Sequence, residues 1–248
     1  MMKKWNLIKF DISYNIAKKP VILVYLFVFP FLIFALLGYL TTANFSGGIS
    51  SFDYYGLTII IYFQLTMGTM VSNMIMEENV KLPNMRIAYS LEDENYIYIS
   101  KIIALTLANA ISIGVYMLLL MGIYHVNFGT NPLMVYITYM ILGFFSSCLG
   151  AALCIGFKDE SACNNILGVV QIILCIFGGI FFPITYLGKI GIFLSNFSIV
   201  KWINYGIGSY VYGHSIKGQL IVWVFSLLLA VLLLFAARKM FKIQLFIH

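Results

Sequence analysis

Residues 77–101 read EENVKLPNMRIAYSLEDENYIYISK, the most charged stretch of its length in the chain. It carries Glu77, Glu78, Lys81, Arg86, Glu92, Asp93, Glu94 and Lys101. Before it, Tyr54–Met76 has no formal charge. After it, Ile102–Phe157 contains no Asp, Glu, Lys or Arg. Each flank is long enough to cross a bilayer core of about 30 Å, which takes about 20 apolar residues as a helix. A polar island between two such flanks is a loop held at a membrane surface, and a soluble partner could push there on a membrane bundle.

Composition agrees. Of 248 residues, 62% are apolar and 10% charged, against roughly 25% charged in a soluble domain. Too few polar side chains exist to cover a water-facing globule, so the chain is an integral membrane protein. Backbone groups in lipid must be satisfied within the spanning structure, which restricts it to helices or a closed barrel. The apolar runs are continuous rather than alternating, which excludes a barrel. The predicted fold class is therefore all-α, with six transmembrane helices.

In order, residues 2–19 form a basic amphipathic helix. Trp5, Ile8, Ile12 and Ile16 fall on one face, Leu7, Phe10 and Tyr14 near the opposite one, with Lys4, Lys9, Asp11, Lys18 and Lys19 between. One apolar face is expected in the headgroup region and the other against the bundle. A plain basic leader at the membrane surface would show the same charges. Pro20 ends this helix and starts the next. Spans are expected at 21–40, with a kink at Pro30, then 54–76, 96–124, 133–156, 164–182 and 220–237. The first loop contains Gly47-Gly48. Ser90, followed three residues later by Asp93, predicts a capping box before the third span. Region 183–217 holds two apolar pieces too short to span, which predicts re-entrant or interfacial helices.

Twelve of the fifteen Lys and Arg residues lie on the side of the two termini, the 77–95 coupling region and the Phe157–Cys163 loop; Lys189, Lys201 and Lys217 lie on the other. The positive-inside rule puts the larger set in the cytoplasm. Chemistry is sparse. Cys148, Cys154, Cys163 and Cys175 form no C-x-x-C pair, and His125, His214 and His248 stand at no metal-ligand spacing. No metal site or catalytic set is expected. The spans lack the ionisable groups that proton- or sodium-coupled carriers use. No phosphate-binding G-x-x-x-x-G-K-[S/T] loop exists, so ATP, if used, needs a separate subunit.

Within the island, Pro83 can open a short helix that ends before Ser90 and shows Leu82, Met85, Arg86 and Tyr89 to the cytosol. Apolar knobs with one arginine suit docking into a groove on a soluble protein; a solvated connector would read similarly.

Here the chain resembles the membrane subunit of ABC-2-type (type V) ATP-binding-cassette exporters. The resemblance rests on the basic elbow helix, the acidic pair Glu77-Glu78 leading through IAYSLEDENYIYISKIIA (Ile87–Ala104), the stretch GGIFFPITYLGKIGIFLSNFSIVKWI (Gly178–Ile203), and the basic close after the sixth span. It covers nearly the whole chain. Two places depart from the family pattern: Asn79-Val80-Lys81-Leu82 replaces Gly-Thr-Leu, and Val200-Lys201-Trp202 stands where a proline is common.

The resemblance implies a bacterial cytoplasmic membrane protein with both termini inside. A second permease subunit, identical or related, would pair with it, and two cytoplasmic ATPase copies would bind the ATP and magnesium. Nucleic acid has no part. ATPase coupling would run through Glu77, Glu78, Leu82, Met85, Arg86 and Tyr89. The path would lie between subunits along the second and fifth spans, lined by Tyr62, Phe63, Met67, Met70, Gln171, Phe177 and Phe181, although ordinary helix packing would use the same residue types. Pro183 and the re-entrant pieces would form an outer gate. The implied cargo is an amphipathic peptide or drug; polysaccharide or lipid cargo, a non-transporting scaffold and a membrane enzyme are the alternatives.

Overall fold

The computed structural model describes residues 4–45, 49–184 and 188–242. Lys3, Gly47-Gly48, part of the first short piece after Pro183 and His248 lie outside the described residues. Among the described residues, apart from a short 3-10 turn at Thr42–Asn44, ten helices follow in order: α1 (4–17), α2 (Pro20–Leu40), α3 (Ser51–Met76), α4 (Glu78–Tyr89), α5 (Tyr96–Ile123), α6 (Pro132–Phe157), α7 (Glu160–Gly178), α8 (Gly188–Ser195), α9 (Ile199–Val211) and α10 (Lys217–Met240). No strand occurs among the described residues. Six of the helices (α2, α3, α5, α6, α7 and α10) are long and apolar enough to cross a membrane. The protein is an all-α membrane protein.

Burial sorts these six. α3 is 83% buried over its most apolar window, whereas α10 is 17% and α2 and α7 are each 28% buried. α3 is thus the axis of the bundle, and α2, α7 and α10 turn apolar side chains outward. α3 crosses α6 at a point where only glycine fits: a Cβ on Gly150 would lie 2.0 Å from the carbonyl oxygen of Gly68. Small residues of this kind let membrane helices approach closely. The same crossing repairs a break in α3 at Thr66. There the Ser146 hydroxyl donates to the Leu65 carbonyl at 2.6 Å and accepts from the Gly68 N–H at 3.1 Å.

α2 bends as its sequence requires. A π-helical turn covers Val24–Val28 just before Pro30. Pro30 has no N–H for the carbonyl of Leu26 four residues back. The Ser112 hydroxyl of α5 donates to that carbonyl instead.

Elsewhere the local rules chose other residues than expected. The Ser90–Asp93 box does not form. Ser90 bonds back to the Ile87 carbonyl at 2.7 Å, closing α4, and Asp93 accepts from the Asn95 backbone and side chain at 3.1 and 2.8 Å. The same S-x-x-D spacing does cap at Ser50, whose hydroxyl accepts from the Asp53 N–H at 3.0 Å, and α3 therefore starts at Ser51. Asp159 caps α7 through Ser161 N–H at 2.8 Å, so that helix starts at Glu160. Pro83 lies inside α4 rather than opening it. The carbonyl it leaves without a helical partner belongs to Asn79, which is exposed.

The faces of α1 also differ from the helical wheel. Leu7, Ile8, Asp11, Asn15 and Ile16 are buried, while Trp5, Phe10 and Tyr14 are exposed. From Asp11 to Ala17 the helix is π-helical. At 100° per residue Asp11 falls about 40° from Leu7 and 60° from Ile8, so the inward face lies between the two apolar stripes and includes Asp11.

Candidate functional site

Three features surround α3: a helix docked at its end, a groove along its side, and a non-helical segment tied to its beginning.

The docked helix is α4. Glu77 breaks the run from α3 with ψ near 137°. Asn84, buried on α4, then donates to the carbonyls of Met74 and Ile75 at 3.0 and 2.9 Å. One amide thereby satisfies two of the carbonyls that the end of α3 leaves without helical partners. On the opposite face, Leu82 is 55% and Tyr89 64% exposed, and Arg86 is exposed between them. Their spacing of four and three places them on one stripe. Met85 lies off that stripe, half-buried against the core. Glu78 is exposed, while Glu77 pairs with Lys19, just before the start of α2.

The groove lies between α2, α3 and α7 and holds about 300 Å³. Tyr62, Thr66, Met70 and Asn73 of α3 face Tyr25 of α2 and Gln171 of α7 across it. Gln171 donates to the Tyr62 carbonyl at 3.0 Å, tying α7 to α3. At one end the amides of Asn73 and Asn164 meet at 2.6 Å, and Glu160 Oε1 accepts from Asn164 at 3.4 Å. Of the residues expected along a path, Tyr62, Met70 and Gln171 stand on this groove. Phe181 is near its other end, with its ring 5.7 Å from that of Tyr62. Phe63 and Met67 are instead buried in the core, lining a small internal cavity with Gln64, Asn109 and Tyr116. They sit one residue round the helix from Tyr62 and Thr66, about 100° away. Phe177 is half-buried outside the groove.

The non-helical segment follows α7. Gly179, at φ +71°, ends the helix in the left-handed region that favours glycine. Its carbonyls would be stranded in lipid without partners. Tyr54 donates to the Gly179 carbonyl, Thr58 to that of Ile180 at 3.1 Å, and Tyr55 to that of Phe181 at 2.9 Å. Asn204 of α9 adds bonds of 3.2 Å to the Gly178 and Gly179 carbonyls. Pro183, the expected gate residue, is half-buried just beyond these anchors.

Two polar clusters escaped the sequence reading. Asp11 and Lys101 form an ion pair at 3.1 Å with relative exposures of 0% and 1%. Ser100 and Asn15 donate to the same carboxylate, each at 2.7 Å. The pair fastens α1 to α5. Deeper in the bundle, the amides of Gln64 and Asn109 exchange hydrogen bonds at 2.6 and 3.3 Å. Gly143 makes room for them: a Cβ there would come 2.4 Å from Gln64 Oε1. The signal for the first cluster was an aspartate in an otherwise basic helix. The second gave none beyond two amides in apolar runs.

No group of three His, Cys, Asp or Glu side chains placed to hold a metal occurs among the described residues. The features define a multi-pass helical membrane protein with a polar-lined groove and a surface helix seated on the central span. The model of the ABC-2 type transporter family matches residues 2–212. The chain belongs to that family and is a membrane permease component of an ABC transporter. No curated protein matches it.

Proposed function

We propose that the chain is the permease subunit of an ATP-driven exporter, paired with a second permease and served by two cytoplasmic ATPase copies that bind ATP and magnesium. The observation that carries this reading is the seating of α4. Leu82, Arg86 and Tyr89 face away from the bundle, while Asn84 on the other side grips the end of α3, whose side walls the groove. A push on α4 moves the groove wall. The lysine and arginine distribution supports a cytoplasmic α4; in this reading the membrane is the bacterial cytoplasmic membrane, and the α8–α9 pair with Pro183 forms the outer gate.

The groove supports amphipathic peptide or drug cargo. Tyr25, Tyr62 and Met70 offer aromatic and polarisable surface beside the neutral amides of Asn73, Asn164 and Gln171. Methionine and aromatic side chains adapt to varied shapes.

Replacing Leu82 and Arg86 together by Asp tests the coupling surface. The variant is expected to insert and fold but lose co-purification with the ATPase. Undiminished co-purification overturns the assignment.

A further inference from the structure

Two of the four cysteines meet where α3, α6 and α7 come together. Only Lys158 and Asp159 join α6 to α7, and Lys158, at φ +61°, makes the reversal. The two helices therefore form a tight antiparallel hairpin. Cys154 stands four residues before Lys158 and Cys163 four after Asp159, so both lie about one turn from the connection, at the same level. Each sulfur also touches a backbone carbonyl of a neighbouring helix. Cys154 Sγ donates to the Ser72 carbonyl of α3 at 3.7 Å, and Cys163 Sγ to the Gly150 carbonyl of α6 at 3.9 Å. The two thiols are placed to hydrogen-bond to each other as well.

Both side chains are at 0% exposure and both are free thiols. A bulky thiol reagent has no route to them. A molecule the size of water does, because helix ends fray and Cys163 stands in the first turn of α7. Cys148 and Cys175 are as deeply buried but have no thiol beside them. Chemistry that needs two sulfurs is therefore particular to the Cys154–Cys163 pair. The next residue after Cys163 is Asn164, which lines the groove between α2, α3 and α7 together with Gly168 and Gln171 of the same helix.

We propose that Cys154 and Cys163 are a redox pair that a small hydroperoxide closes into a disulfide, stapling the start of α7 to the end of α6. With hydrogen peroxide, the Cys163 thiolate attacks one peroxide oxygen, breaks the O–O bond, expels hydroxide and becomes a sulfenic acid. The Cys154 sulfur then displaces that oxygen and the S–S bond forms. The two thiol protons leave with the two oxygens, giving two waters, and the two electrons lost by the sulfurs reduce the peroxide. A dithiol reverses the bond by exchange. The lysine and arginine distribution supports a cytoplasmic hairpin, where disulfides are usually transient and redox-sensing. Once closed, the bond stops the first turn of α7 from opening and holds that wall of the groove against α6.

The test treats the full chain in detergent with a small molar excess of hydrogen peroxide and reads intact mass, peptide mapping and hydrogen exchange. The expected result is the loss of two hydrogens per chain, mapped to a link between Cys154 and Cys163 and reversed by dithiothreitol, while Cys148 and Cys175 stay thiols. Exchange protection in 160–167, taken relative to the intrinsic rate, should rise several-fold in the linked chain. Cys154→Ser, and separately Cys163→Ala, should abolish both the loss of hydrogens and the gain in protection. An unchanged mass, a sulfinic acid at either position without a link, a link to another cysteine or between two chains, or a link that leaves protection unchanged would each overturn the proposal. None of these readouts uses ATP or the ATPase, so they stand or fall apart from the exporter reading.

Discussion

The side chain under the greatest constraint is Asp11. Its carboxylate receives Lys101, Ser100 and Asn15 with no access to water. Removing one partner of a buried ion pair costs about 3–5 kcal/mol, because the other charge stays desolvated. Asp11→Ala should therefore lower the thermal unfolding midpoint in detergent sharply. The double replacement Asp11→Leu with Lys101→Met should recover much of that loss, since paired apolar substitution at such sites is often near neutral. Asp93 makes a pH prediction outside the spans. Its hydrogen bond from the Asn95 side chain, and more weakly the backbone bond from Asn95 and the charges of Arg238 and Lys4, hold its carboxyl below the usual value. A depressed carboxyl stabilises above its unfolded value and loses that contribution as pH falls through the folded one. Hydrogen-exchange protection in 90–95, taken relative to the intrinsic rate at each pH, should fall on acidification. Asp93→Asn should show lower protection at neutral pH and lose that fall.

Among the elements, α4 and α3 act together. Asn84→Ala strands the Met74 and Ile75 carbonyls and should cost about 1–3 kcal/mol. Its larger effect should be functional: ATP hydrolysis by the complex persists while transport per ATP falls, as measured in vesicles containing both subunits. Element by element, the sequence was legible where one rule dominated. Spans declared themselves by uncharged length, and Pro20 and Pro30 placed a start and a bend. It was misleading where rules competed. The S-x-x-D pattern occurs at Ser50 and at Ser90, and only backbone geometry decides which one caps. A wheel with a fixed 100° step put Asp11 between two apolar stripes, and nothing in the residue types says that the sector between them, rather than either stripe, turns inward. Phe63 and Met67 share composition with Tyr62 and Met70, yet one step around α3 separates core from groove. Tyr54, Tyr55 and Thr58 looked like the start of a span, and their role in holding the segment after α7 is a contact across more than 120 residues.

For the whole molecule, the proposed mechanism has force applied to α4 reach the groove through α3. The most direct measurement is thiol labelling of Thr69→Cys, on the groove wall, in inside-out vesicles that also contain the ATPase. The four native cysteines are buried and should give little background. Adding ATP should change the labelling rate several-fold in the parent chain and leave it unchanged when Leu82 and Arg86 are replaced by Asp. Labelling that ignores ATP in the parent, or that still responds to ATP in the variant, would contradict the claim.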